Sequence, residues 1–146
     1  MGDLDFDRDE LLEQARGNQT AIWYMAARFA RDRDGSVDAW ASFVGAQFAP
    51  SWDPMGDRPS ARRVALQSAL NMATTADMRP VDVTGDDDRA ELLLDGPDQQ
   101  WLDDAAISRD DIDRTNELVF RAIAEGRGLT LDASRDEAGL HLIFAR

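Results

Sequence analysis

The chain has 146 residues, 31% charged and 43% hydrophobic, with a formal net charge of −13, no cysteine and one histidine. That is one domain's worth of chain, too apolar for wholesale disorder and unlike collagen, a disulfide scaffold or a repeat array. No apolar run approaches the roughly 18 residues of a membrane span, and the acidic start MGDLDFDRDE is unlike a secretory signal, so a soluble cytoplasmic protein is expected.

Residues 1–8 are expected to form a flexible acidic tail to a domain covering 1–146. Asp7 or Asp9 then caps a short helix through Arg16, with Leu11, Leu12 and Ala15 inward and Gly17 as its stop. A second helix runs from Asn18 or Thr20 to Arg33, its buried face set by Ile22, Met25, Ala26 and Phe29. Asp34-Gly35 ends it. Ser36 caps a third helix carrying Val37, Trp40, Ala41, Val44 and Phe48 as one stripe, which Pro50 closes. Residues 51–59, SWDPMGDRP, read as a loop. Pro59 opens a fourth helix reaching about Ala76. It is apolar around much of its circumference and is expected to be the central, most buried helix.

After Arg79-Pro80 the period changes to two. VDVT, the turn GDDD and AELLLD make a hairpin over 81–94. Residues 98–106 form a short helical turn with Trp101 and Leu102. Ser108 and Asp111 make a capping-box variant for a fifth helix running to Glu125, with Gly126 as its stop. GLTLDA and GLHLIFA form a second hairpin, 128–133 with 139–145. The fold class is therefore α+β. Four N-terminal helices precede strand-strand-helix-strand-strand, an antiparallel four-stranded sheet covered by helices on one face.

The charge is lopsided. Sixteen arginines and no lysine stand against 23 aspartates and 6 glutamates. Lysine is normally common, so its absence points to a salt-loving or GC-rich prokaryote. Nucleic acid is an unsuitable partner, because its phosphates need a basic stripe. An anionic membrane surface is disfavoured for the same reason. The densest basic cluster is Arg58, Arg62 and Arg63. Arg62 and Arg63 are expected to pair with Asp57 or a sheet acid, or else to bind an anion at a pocket mouth.

No residue set specifies a reaction. Without cysteine and with only His141, a structural zinc site is excluded in practice. Asp3, Asp5 and Asp7, and Asp32, Asp34, Ser36 and Asp38, begin like calcium loops but lack the required sixth and twelfth residues. Neither a metal nor a cofactor is expected. The acids at 86–88 are crowded enough that like charges should raise some of their pKa values. There is no nucleophile elbow or glycine-rich phosphate cradle. His141 lies on a strand and reads as a cross-strand residue, or as an acid, base or donor in a pocket. Asn71 and Asn116 interrupt apolar helix faces and need partners or a ligand. Trp23 and Trp40 read as core. Trp52 and Trp101 stand in irregular segments, where they plug the core, close a pocket or anchor a partner.

From Ala21 onwards the order of elements resembles the small bacterial and archaeal aminothiazoline-carboxylate hydrolase-like domains and their relatives, the 4-vinyl reductase domains. The matching parts are VDVTGDDDRAELLLDGP, the helix around Asn116 and LTLDASRDEAGLHLIF, with Pro97 following the second strand. Those domains often carry cysteines near that proline and near the sheet end. Here Gly96 precedes Pro97 and there is no cysteine, so cysteine-dependent chemistry does not carry over. The resemblance implies a scaffold for binding or sensing a small molecule.

The leading expectation is a binding module for a small, largely apolar ligand held between the fourth or fifth helix and the sheet. Its lining would include Trp101, Asn71, Asn116, Phe120 and His141. One alternative is a hydrolase using His141 with Asp103, Asp110 or Asp111. Another is a homodimer formed through Trp52 and the 51–59 loop or through a sheet edge.

Overall fold

The computed structural model describes residues 6–146. Most of the expected tail, residues 1–5, lies outside the described residues. Arg8 already belongs to the first helix, α1 (Arg8–Asp34). There Asp7 and Glu10 form a reciprocal capping box, which satisfies two of the free N–H groups at a helix start. The two helices expected on either side of Gly17 are one. Gly17 lies inside α1, and Gln14 bonds Asn18 across it at 2.8 Å. An interior glycine weakens a helix by about 1 kcal/mol relative to alanine and does not by itself end one. Gly35, with φ +80°, supplies the stop.

The buried side of α1 also differs from expectation. Thr20, Tyr24, Ala27 and Ala30 face inward, whereas Ile22, Met25 and Phe29 are exposed, Phe29 by 67%. Two apolar stripes overlap on this helix. The stripe with small residues packs, because Ala27 and Ala30 permit close approach and Tyr24 carries a polar tip that finds a partner inside.

Helix α2 (Asp38–Phe48) starts after Val37; Ser36 Oγ accepts from the Asp38 N–H but does not cap the helix. Pro50 does not end the helical path, which continues as a 3-10 helix over Ala49–Met55 through much of the expected loop. Helix α3 (Ala61–Met72) is capped by Ser60, not opened by Pro59, and stops four residues before Ala76. It is not buried around its circumference, for Leu66 and Leu70 are exposed. Its inward face is Ala61, Val64, Ala65, Ser68 and Met72.

Strands β1 (Arg79–Gly85) and β2 (Arg89–Asp95) form the first hairpin. Helix α4 (Gln99–Ala105) carries Trp101 and Leu102. Ser108 caps α5 (Arg109–Gly126), accepting from the Asp111 N–H at 3.1 Å. Strands β3 (Thr130–Arg135) and β4 (Leu140–Ala145) close the chain. The sheet is antiparallel throughout, in the order β1-β2-β4-β3, with helices on one face.

Register decides which side chains meet the helices. Leu92 pairs with Leu142, Leu94 with Leu140, and Phe144 with both Ala90 and Leu131. All of these are buried against α3 and α5. A second apolar cluster joins Tyr24, Ala27, Val37, Leu102, Ile107 and Ile112 between α1, α4 and the start of α5. The opposite face of the sheet carries Glu91 and Leu93 of β2 and His141 and Ile143 of β4. An antiparallel sheet can leave one face uncovered in this way.

Candidate functional site

A cavity of about 670 Å³ opens where the two apolar clusters meet. Helix α5 supplies its floor through Ile112, Asn116, Val119, Phe120 and Ile123. These positions follow helical spacing, so one face of α5 serves both core and cavity. Trp23 and Tyr24 come from α1, Trp52 from the 3-10 helix, and Met72, Asp77 and Met78 from the end of α3 and the segment after it. Ile22, Phe48 and Asn71 are exposed and form the mouth.

The early stop of α3 creates the polar end of this cavity. Residues 73–78 fold back as turns and meet α1. Thr20 Oγ1 accepts from the Ala76 N–H at 2.9 Å, and the Tyr24 hydroxyl donates to Asp77. Asp77 is only 1% exposed. Burial pushes its carboxyl up to about 6, and the Asp98 charge adds to this; backbone N–H groups and Arg79 act in the opposite direction. Tyr24 is held from behind by Trp101, whose ring meets it edge-on at 6.0 Å.

Asn116 is 5% exposed and lines the cavity. Its carboxamide makes no hydrogen bond to another described residue. The carboxamide is therefore available to whatever occupies the cavity.

Of the ligand candidates read from the sequence, Asn71, Asn116 and Phe120 line this cavity. Trp101 does not; it packs in the second cluster behind Tyr24. His141 is not in the lining either. It lies on the uncovered sheet face, with Nδ1 at 2.5 Å from Glu91 and Nε2 at 2.9 Å from Asp136. Those two carboxylates, Glu91 first, raise its pKa. None of the three carboxylates expected beside His141 pairs with it: Asp110 is exposed in the first turn of α5, and the other two are engaged elsewhere. Asp103 accepts from Gln99, and Asp111 meets Ser108 and Arg31.

Arg62 and Arg63 are also away from the cavity. Arg62 donates to the Gly85 carbonyl at 3.0 Å and Arg63 to the Met55 carbonyl at 3.2 Å. They fasten α3 to the β1–β2 turn and to the 3-10 helix rather than pairing with Asp57. Trp52, 6% exposed, is turned into the cavity wall and is no surface anchor for a dimer. Asp86 also departs from expectation. Its carboxylate accepts from the Arg89 and Asp88 N–H groups, which hold its pKa below the usual range despite the neighbouring acids.

Tyr24, Asp77 and Thr20 were not identified from the sequence. The available signal was the single tyrosine, four residues after Thr20 on one helix face. Among the described residues no group of three or more His, Asp or Glu is placed to hold a metal ion. Compared with protein-family models, with curated proteins and with solved structures, the chain matches none.

Proposed function

We propose that this protein binds a small, largely apolar molecule in the cavity between α1, the 3-10 helix and α5. The observation that carries this reading is Asn116, a residue 5% exposed whose carboxamide bonds no other described residue, in the wall of a roughly 670 Å³ space. Small-molecule sites are typically apolar concavities with a few convergent polar groups, and Tyr24, Asp77 and Asn116 are such a set. The order of elements, which resembles that of the hydrolase-like and vinyl-reductase domains, points the same way without their cysteines.

The test uses the cavity's own reporters. Trp23 and Trp52 line it, so a bound apolar ligand should change the intrinsic fluorescence saturably and raise the melting temperature. Native mass spectrometry should show one ligand per chain. A broad apolar library that produces neither signal would overturn the reading.

A second reading rests on His141 between Glu91 and Asp136, an acid–base centre of hydrolase type. Both ring nitrogens are already engaged, which favours a held imidazolium over a free base. His141→Gln separates the readings. It should leave cavity binding unchanged, whereas a hydrolase centred on His141 would lose turnover.

A further inference from the structure

We infer that the cavity selects an organic ammonium ion on an apolar body, its charge seated between Asp77 and the aromatic wall. The inference rests on the cavity being a ligand site, and three observations carry it further. The lining contains one ionisable carboxylate, Asp77, and no arginine or histidine. Five aromatic rings, Trp23, Tyr24, Phe48, Trp52 and Phe120, stand around the same space. Rings of this kind attract a cation through their negative faces, most strongly where water is displaced. The carboxamide of Asn116 offers an acceptor to an ammonium N–H.

The charge environment agrees. Tyr24 donates to Asp77 and leaves carboxylate lone pairs unused by it. Arg79 is a cation that acts on Asp77, but it is itself paired with Asp95 and Asp98. Asp98 adds negative potential at Asp77. A carboxylate ligand would meet a buried like charge with no cation in the lining to offset it, which is costly in a low-dielectric site. Because Asp77 titrates near 6, selection should strengthen as pH rises through that value.

Three matched probes test this with the full chain: 4-phenylbutylamine, 4-phenylbutanol and 4-phenylbutyrate. Calorimetric titration should find the amine bound about tenfold more tightly than the alcohol, and the acid not at all. Asp77→Asn should abolish the amine's advantage over the alcohol, whatever it does to the affinity the two share. Asp132→Asn, the same charge change on the uncovered sheet face, should preserve the preference. In the unmutated chain the amine-to-alcohol ratio should fall between about pH 7.5 and pH 5, a measurement independent of how the variant folds. Equal binding of amine and alcohol would overturn the inference and leave the cavity reading standing, as would a preference that survives Asp77→Asn. If none of the three binds, the inference falls, and the cavity reading falls with it only when the broad apolar library is silent too.

Discussion

The Tyr24 hydroxyl donates to the Asp77 carboxylate and so ties α1 to the segment leading from α3 into β1. Both groups are buried, so the bond is exchanged for no water contact when it is cut. Tyr24→Phe leaves the carboxylate short of a donor and should destabilise the chain by about 1–3 kcal/mol. Asp77→Asn keeps an acceptor for Tyr24 and removes the buried charge, so it should be far milder at neutral pH. Thermal and urea melts of the two variants decide this. A Tyr24→Phe variant as stable as the parent would mean that the bond contributes nothing.

The same carboxyl gives a pH signature. Its folded-state pKa, about 6, lies above the ordinary carboxylate value of 3.8. Between these values the folded chain binds the additional proton, so this group's contribution to stability is lost as pH rises from about 4 to about 6. Asp38, Asp95 and Asp136 act oppositely. Arg114, Arg79 and His141 hold their pKa values down, and their contributions are lost as pH falls. The informative quantity is therefore the difference between parent and Asp77→Asn. It should change across that window and be flat on either side. A constant difference would contradict the burial argument.

His141 offers a cleaner titration because it is the only histidine. The hydrogen bond to Glu91 is the largest cause of its raised pKa and that to Asp136 the next, with burial acting against both. Its pKa measured from the imidazole proton resonances should lie above 6.5. Glu91→Gln and Asp136→Asn should each lower it. The stability from this cluster is present below the unfolded-state value and is lost as pH rises through the folded one. An unperturbed titration in the parent would show that the ion pairs do not persist in solution.

Gly45 and Gly17 should respond to alanine in opposite directions. A Cβ at Gly45 would lie 2.8 Å from Ala122 Cβ and 3.0 Å from Val119 Cα, where α2 crosses α5. Backbone cannot yield there cheaply, so Gly45→Ala should destabilise by about 1–3 kcal/mol. It should also disturb the cavity, since Val119 lines it. A Cβ at Gly17 meets nothing within 4 Å, and Gly17→Ala should stabilise α1 by up to about 1 kcal/mol. Denaturant titrations that give both variants the same sign would refute the packing described for one of them.

The sheet was legible because period-two runs such as AELLLD and LHLIFA place Leu92, Leu94, Leu140 and Leu142 on one face whichever strands pair. The cap at Ser108 was legible because its partner is three residues away. Helix α1 was misread because periodicity reports that a face is apolar without saying what will cover it. Ile22, Met25 and Phe29 satisfy the pattern as well as Tyr24, Ala27 and Ala30 do. The choice between them depends on Asp77, 53 residues distant from Tyr24 in sequence. The site was half legible for the same reason. Asn116 and Phe120 announce themselves within one helix, whereas Tyr24 and Asp77 acquire meaning only when α3 stops at Met72 and the chain turns back.

The charge balance leads to the last prediction. Even if every arginine paired with one carboxylate, the 29 acids would exceed the 16 arginines by 13. Pairs such as Arg114–Asp38 and Arg127–Asp53 therefore redistribute the surplus without removing it. At about 0.01 M salt the Debye length is about 30 Å, so the surplus carboxylates repel across the whole domain. At about 1 M it is roughly 3 Å, and only near neighbours interact. Screening weakens the exposed arginine–carboxylate pairs too, but each such pair is worth at most about 1 kcal/mol. Repulsion summed over the surface should outweigh them. The melting temperature should therefore rise from dilute buffer to molar KCl at neutral pH. The argument concerns charge and not the ion, so choline chloride should give a similar rise unless it also occupies the cavity. In Asp77→Asn, where that additional contribution is removed, the two salts should coincide. A flat or falling KCl curve would mean that local pairs, rather than the net charge, govern the stability of this surface.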